Sequence, residues 1–217
     1  DYTKALEIRP GDGDAFLYRG ISYKLLGQAD KAIDDYDQAL AINPQDIEAY
    51  NSRANALAEL GRNQEALADY QTAIDLEPAY ADAFYNRAIL HMAMGNHELA
   101  VQDLNAVLSM APQDIEALVK RGDNLLALGK PTRALADYDK ALSLYPNDPV
   151  ALLHRARANK ERGRLSKAAA DLELALELAP ANPELYREMA LVLTMQDEPE
   201  LAGVYQRRAD DLEAGLD

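Results

Sequence analysis

The sequence predicts an all-α chain, a stack of antiparallel helix hairpins, and three observations carry that prediction. Pro10, Pro44, Pro78, Pro112, Pro146 and Pro180 recur every 34 residues, and Gly27, Gly61, Gly95, Gly129 and Gly163 keep the same interval. Between each Gly and the flanking Pro residues, apolar and small side chains return at helical spacing rather than in the alternation of a strand. A fixed period of this length marks a repeat array in which each unit buries its apolar face against the next.

Taken in order, residues 1–12 read as the second helix of an incomplete unit, with Tyr2, Ala5, Leu6 and Ile8 at its packing positions. Its first helix is absent from the sequence. Complete units follow at 13–46, 47–80, 81–114, 115–148 and 149–182, and a sixth at 183–217 reads as a terminal cap. Each opens on an acidic or Asn-containing turn and continues through a helix such as Ala49 to Leu60, which Gly61 ends with its permissive φ. A second helix such as Gln64 to Leu76 follows, and the next Pro stops it because its ring cannot continue the hydrogen-bond ladder. Small residues fall where two helices must approach: Gly20, Ala54, Ala88, Gly122, Ala156 and Ala190 in first helices, and Ala32, Ala66, Ala100, Ala134, Ala168 and Ala202 in second helices. Large residues fall opposite, at Phe16, Tyr50, Phe84, Leu118, Leu152 and Tyr186, and again at Tyr36, Tyr70, Leu104, Tyr138 and Leu172. In the sixth unit Gln196, Asp197, Gln206 and Asp210 replace apolar residues, the polar outer surface that a cap needs.

Two charged series run through five units in step. Arg19, Arg53, Arg87, Arg121 and Arg155 recur with Asp35, Asp69, Asp103, Asp137 and Asp171, and both series lapse together in the sixth unit, at Met189 and Tyr205. Loss in pairs predicts a ladder of Arg–Asp ion pairs, within each hairpin or between neighbours, in preference to an Arg stripe that reads a ligand.

The pattern resembles the tetratricopeptide-repeat (TPR) family over the whole chain, through the aromatic, Gly/Ala and Tyr positions above and through Ala39, Ala73, Ala141, Ala175 and Ala209. It departs where Arg stands in place of a common Leu and where His91 and Asn159 occupy a packing position. The resemblance implies a right-handed superhelix, an α-solenoid, whose first helices line a concave groove. Carried over residue by residue, the groove holds Leu17, Tyr18, Ile21, Asn51, Asn55, Tyr85, Asn86, Ile89 and Met92. It continues through Glu116, Val119, Lys120 and Asp123 and turns basic through His154, Arg157 and Lys160. Apolar and aromatic side chains there suit an extended or helical peptide, and the Asn amides suit its backbone. Leu17, Tyr18 and Ile21 have an alternative role, packing against a missing N-terminal segment. A co-chaperone-like carboxylate clamp is a narrower option: Asn55, Asn86 and Lys120 fit it, whereas Asn51 and Glu116 stand where that clamp has Lys.

The expected function is a non-catalytic protein-interaction scaffold that binds a peptide or partner segment, needing no cofactor and no metal. A self-assembling structural protein that uses the edge at residues 1–12 is the alternative, which makes a homo-oligomer the second expected partner. With 22 Lys or Arg against 37 Asp or Glu, the formal charge is −15, which disfavours nucleic acid as a partner. One stretch, His154 to Lys167, opposes that background with six cations and one acid, and suits an acidic segment of a partner. Cysteine is absent, so thiolate chemistry and Cys-based metal sites are excluded. His91, His97 and His154 are scattered, with His91 expected in the core, and no HExxH pair, phosphate-cradling loop or nucleophile elbow occurs. No apolar run is long enough for a membrane span, so either a cytoplasmic or a periplasmic location is consistent with the composition.

Overall fold

A computed structural model describes residues 1–215; positions 216 and 217, the last two of the expected sixth unit, lie outside the described residues. Among the described residues there are thirteen α-helices and no strand. The chain divides into two compact units. The first, Asp1–Met110, contains α1 (Tyr2–Ile8), α2 (Gly13–Leu25), α3 (Ala29–Ile42), α4 (Ile47–Glu59), α5 (Asn63–Leu76), α6 (Ala81–Ala93) and α7 (His97–Met110). The second contains α8 (Ile115–Ala127), α9 (Pro131–Leu144), α10 (Pro149–Glu161), α11 (Leu165–Leu178), α12 (Pro183–Met195) and α13 (Pro199–Glu213).

Local chemistry sets the helix ends. Asp12, Asp46, Asp114, Asp148 and Asn182 cap first helices by accepting a backbone N–H with their side chains, which satisfies donors that the helix itself leaves orphaned. The turn inside each hairpin needs left-handed backbone, and Gly27, Gly61, Gly95, Gly129 and Gly163 supply it at φ between 65° and 74°. Asp197 stands at the same place in the last hairpin and adopts φ 65° without being glycine, a conformation that Asp tolerates better than most residues.

Packing follows the small and large positions. Ala32, Ala66, Ala100, Ala134 and Ala168 are fully buried, as are Tyr36, Leu104, Tyr138 and Leu172 beside them. At Gly122 a Cβ would come within 2.5 Å of the Tyr138 ring, so the first helix lies on the aromatic ring itself. Buried tyrosines need a partner for the hydroxyl, and here the hairpins differ. Tyr70 donates to Asn55 at 2.6 Å and Tyr138 donates to Asp123 at 2.8 Å, whereas Tyr36, with Ile21 at that repeat position, has a buried hydroxyl whose contact with Ser52 falls short of full hydrogen-bond geometry. Burial, with neighbouring Asp35, pushes the Tyr36 phenol up to about 12. His91 is buried as expected, its Nδ1 is unpartnered, and burial holds its pKa below the ordinary value.

The Arg–Asp ladder is present in all five hairpins. Each guanidinium grips the Asp of its own hairpin through Nε and Nη2, at 2.7 Å twice for Arg53–Asp69 and at 2.9 and 2.7 Å for Arg87–Asp103. Arg19–Asp35, Arg121–Asp137 and Arg155–Asp171 repeat the geometry. The five Asp residues are buried. The remaining nitrogen reaches back to the preceding hairpin: Arg53 Nη1 to Asp37 at 2.5 Å, Arg87 Nη1 to Gln71 at 2.7 Å and Arg155 Nη1 to Asp139 at 2.9 Å. One side chain therefore satisfies both versions of the sequence expectation, holding a hairpin closed and tying it to its neighbour. Planar, five-donor guanidinium suits this triple task in a way that lysine cannot.

Candidate functional site

Within residues 1–110 the expected groove residues divide into core and accessible surface. Leu17 is only 3% exposed and belongs to the apolar core with Ala32, Tyr36 and Leu40. Ile21 packs against that core, and Tyr18 stacks on Tyr2 of α1 with ring centroids 6.0 Å apart. Leu17 and Ile21 therefore belong to the core of their own hairpin, whereas Tyr18 stays 43% exposed beside Tyr2. Asn51 is buried and accepts a hydrogen bond from Asn86 Nδ2 at 3.0 Å, and Asn55 is held by Tyr70. Of the two amides a carboxylate clamp would use, Asn86 spends a donor on Asn51, and Asn55 is engaged by Tyr70 through its acceptor Oδ1. Tyr85, Asn86, Ile89 and Met92 lie partly exposed along α6.

Residues 111–215 contain a cleft between first helices. Its volume is about 430 Å³, and its walls come from Ile115, Val119, Lys120 and Asp123 of α8 with Asp148, Val150 and His154 at and along α10. Asp123 organises it. Its Oδ1 accepts from Tyr138 Oη at 2.8 Å and lies 2.7 Å from His154 Nδ1, while the His154 and Tyr138 rings stack at 6.0 Å. A carboxylate only accepts, so this contact keeps the proton on Nδ1 and leaves His154 Nε2 as the imidazole's acceptor. Lys120 is 3.7 Å from Glu116. Half-exposed Val150 and buried Val119 give the cleft an apolar side.

The basic stretch is partly spent inside the fold. Arg157 Nε donates to Glu188 at 2.7 Å and its Nη2 to Glu184 at 2.6 Å, and Lys160 donates to Glu188 at 2.6 Å. Burial, the largest influence on Glu188, opposes its ionisation, yet the bonds from Lys160 and Arg157 outweigh it and hold the carboxyl below its usual range. Among the described residues no group of three or more His, Asp or Glu converges as a metal site, and no helix is long and apolar enough to cross a membrane.

Tetratricopeptide-repeat models match residues 1–34, 81–114 and 119–183, and a TPR-repeat model matches 22–61 and 54–95. The chain belongs to the tetratricopeptide-repeat family. No curated protein matches the sequence. Among solved structures, the C-terminal part of a TPR repeat-containing protein from Cytophaga hutchinsonii superposes with a TM-score of 0.80 at 19% identity, covering 98% of this chain and 88% of that one. YrrB, described as a TPR protein with an unusual peptide-binding site, gives 0.69 at 21% identity over 82% of this chain and 92% of its own. The APC/C hetero-tetramer Cut9–Hcn1 gives 0.73 at 20% identity over 97% of this chain, which spans only 42% of the matched chain. TPR proteins bind protein or peptide partners and are generally non-catalytic.

Two features of the site are written in the sequence only as faint signals. The Tyr138–Asp123–His154 cluster was visible only as separate residues, although the recurrence of a polar residue 15 positions before a buried Tyr, at Asn55–Tyr70 and Asp123–Tyr138, is its signal. Neutralisation of Arg157 and Lys160 is likewise written in the acids at Glu184 and Glu188, one repeat further along.

Proposed function

We propose that this TPR chain is a non-catalytic interaction scaffold that holds a peptide or an extended partner segment against its first helices. In residues 111–215 the contact centres on the cleft between α8 and α10. The single observation that carries the reading is that cleft's chemistry: an apolar side from Val119 and Val150 faces Lys120, Asp123 and an oriented His154, so side chains and backbone of a peptide both find complements. Along α6, the accessible Tyr85, Asn86, Ile89 and Met92 supply a second contact strip. A binding role also suits the Tyr138–Asp123–His154 cluster, in which Tyr138 is buried with its pKa raised, chiefly by burial and then by Asp123, and both partners meet one carboxylate.

A random-peptide library displayed on phage tests the proposal. Peptides enriched on the wild-type chain should lose at least about tenfold in affinity on Val150→Glu, which places a charge on the exposed apolar wall without touching the core. Enriched peptides that bind Val150→Glu and Tyr85→Ala/Ile89→Ala as tightly as the wild type would refute it.

A further inference from the structure

A second cleft, on the opposite elements of the hairpins, has no part in the proposal above. It is formed by the second helices α9 and α11 with the end of α10, and its volume is about 470 Å³. Arg155, Arg162, Arg164 and Lys167 line it, against Asp139 and Asp171. Arg155 already satisfies both of those acids. Arg162, Arg164 and Lys167 have no acidic partner among the described residues.

The repeat supplies an internal reference. Three periods earlier the same cleft is lined by Asp37, Arg53, Arg62, Glu65 and Asp69. There Arg62 is closed by Glu65 through two hydrogen bonds of 2.8 and 2.7 Å, and cations are outnumbered by acids. Lys167 occupies the place of Glu65, and Arg162 occupies the place of apolar Leu60. Two substitutions on a conserved local geometry thus turn a self-neutralised cleft into one with surplus positive charge.

We infer that the α9–α11 cleft binds a short acidic polypeptide segment, with Arg162, Arg164 and Lys167 pairing its Asp or Glu carboxylates. The guanidinium forks offer bidentate geometry to a carboxylate, and the cleft's size accepts side chains rather than a bare ion. The rest of the molecule argues against a long polyanion, since a duplex or an anionic membrane would bring its own charge against a chain of net charge −15. A short segment meets only the basic cleft.

The test is fluorescence anisotropy of a fluorescein-labelled hexaglutamate peptide titrated with the full chain at about 0.05 M salt, where surface attraction is weakly screened. Saturable binding is expected, and Lys167→Glu should weaken it at least about tenfold, because the new carboxylate closes Arg164 as Glu65 closes Arg62. That variant copies an arrangement the fold already contains, and circular dichroism verifies that it remains helical. The converse variant, Glu65→Lys, should create a second binding event. Val150→Glu should leave hexaglutamate binding unchanged, which separates this site from the α8–α10 cleft. The inference is overturned if hexaglutamate does not bind, or if Lys167→Glu binds it equally. It is also overturned if millimolar inorganic phosphate displaces the peptide completely, or if duplex DNA or phosphatidylserine vesicles bind as tightly.

Discussion

Single residues that break the repeat grammar expose what the grammar does. His91 stands where Leu57, Leu125 and Leu193 pack, and it is buried with an unpartnered Nδ1. Leaving a buried polar atom unpaired costs about 1–3 kcal/mol, so His91→Leu should raise the urea midpoint by the equivalent of about 1 kcal/mol. The pH dependence has a definite sign. Burial lowers the folded-state pKa, so the neutral imidazole's contribution is intact above the ordinary histidine value of about 6.5 and is lost as pH falls through the depressed value. In His91→Leu that slope should flatten. The tyrosines give a paired experiment: Tyr70→Phe removes the bond to Asn55 and should cost about 1 kcal/mol, while Tyr36→Phe removes a hydroxyl that has only the poorly aligned contact with Ser52 and should be near neutral in thermal melts. The identity of position 21 as Ile, against Asn55 and Asp123 elsewhere, made this contrast readable from sequence alone, but only once the partnership was known.

At the scale of helices and hairpins, the Arg–Asp ladder holds the largest local energies. Arg87→Ala would leave Asp103 buried and unpaired, a change that typically costs about 3–5 kcal/mol in full burial and somewhat less here because the guanidinium keeps partial solvent access. Joint replacement, Arg87→Met with Asp103→Leu, should recover most of the loss. A double-mutant cycle in urea that shows the two losses simply adding would contradict the coupling. The ladder was legible because its two series are lost together at Met189 and Tyr205, and paired loss reveals contact. Which hairpin each Arg serves was not legible. A guanidinium has enough donors for both answers, and only geometry shows that Nε and Nη2 face inward while Nη1 reaches back. The groove strip was less readable for the same reason of direction. Position within a first helix identifies a face, yet Leu17 and Asn51 sit at its margin, and a few degrees of rotation carry them into the core.

Across the molecule, stability in a repeat array comes from each hairpin and its immediate neighbours rather than from one shared core. The last helix has less of this support than an internal one. Within α13 only Ala202 and Ala209 are buried, and Leu201 and Val204 remain about half exposed, in contrast to the six buried residues of α9. Hydrogen exchange should find the α13 amides opening with markedly lower protection than those of α9, and equal protection would imply a stabilising contact that the described residues do not make. The strained Asp197 turn just before α13 acts in the same direction. The net charge belongs to the whole chain, whereas its distribution matters more: acids close the ladder and neutralise Arg157 and Lys160, and Arg162, Arg164 and Lys167 gather in one cleft.

The backward reach of the ladder has a genetic corollary. Arg53, Arg87 and Arg155 each reach back at an offset of 16 residues, so excising the 34 residues 47–80 would deliver Arg87 to Asp37 in place of Gln71, an acceptor for an acceptor. Removing 33 or 35 would put Arg87 out of register with Asp37 and break the contact across that junction. Duplication and loss in whole periods are thereby the tolerated edits, and the arginine that holds a hairpin shut also serves as the frame-check by which the array can lengthen or shorten.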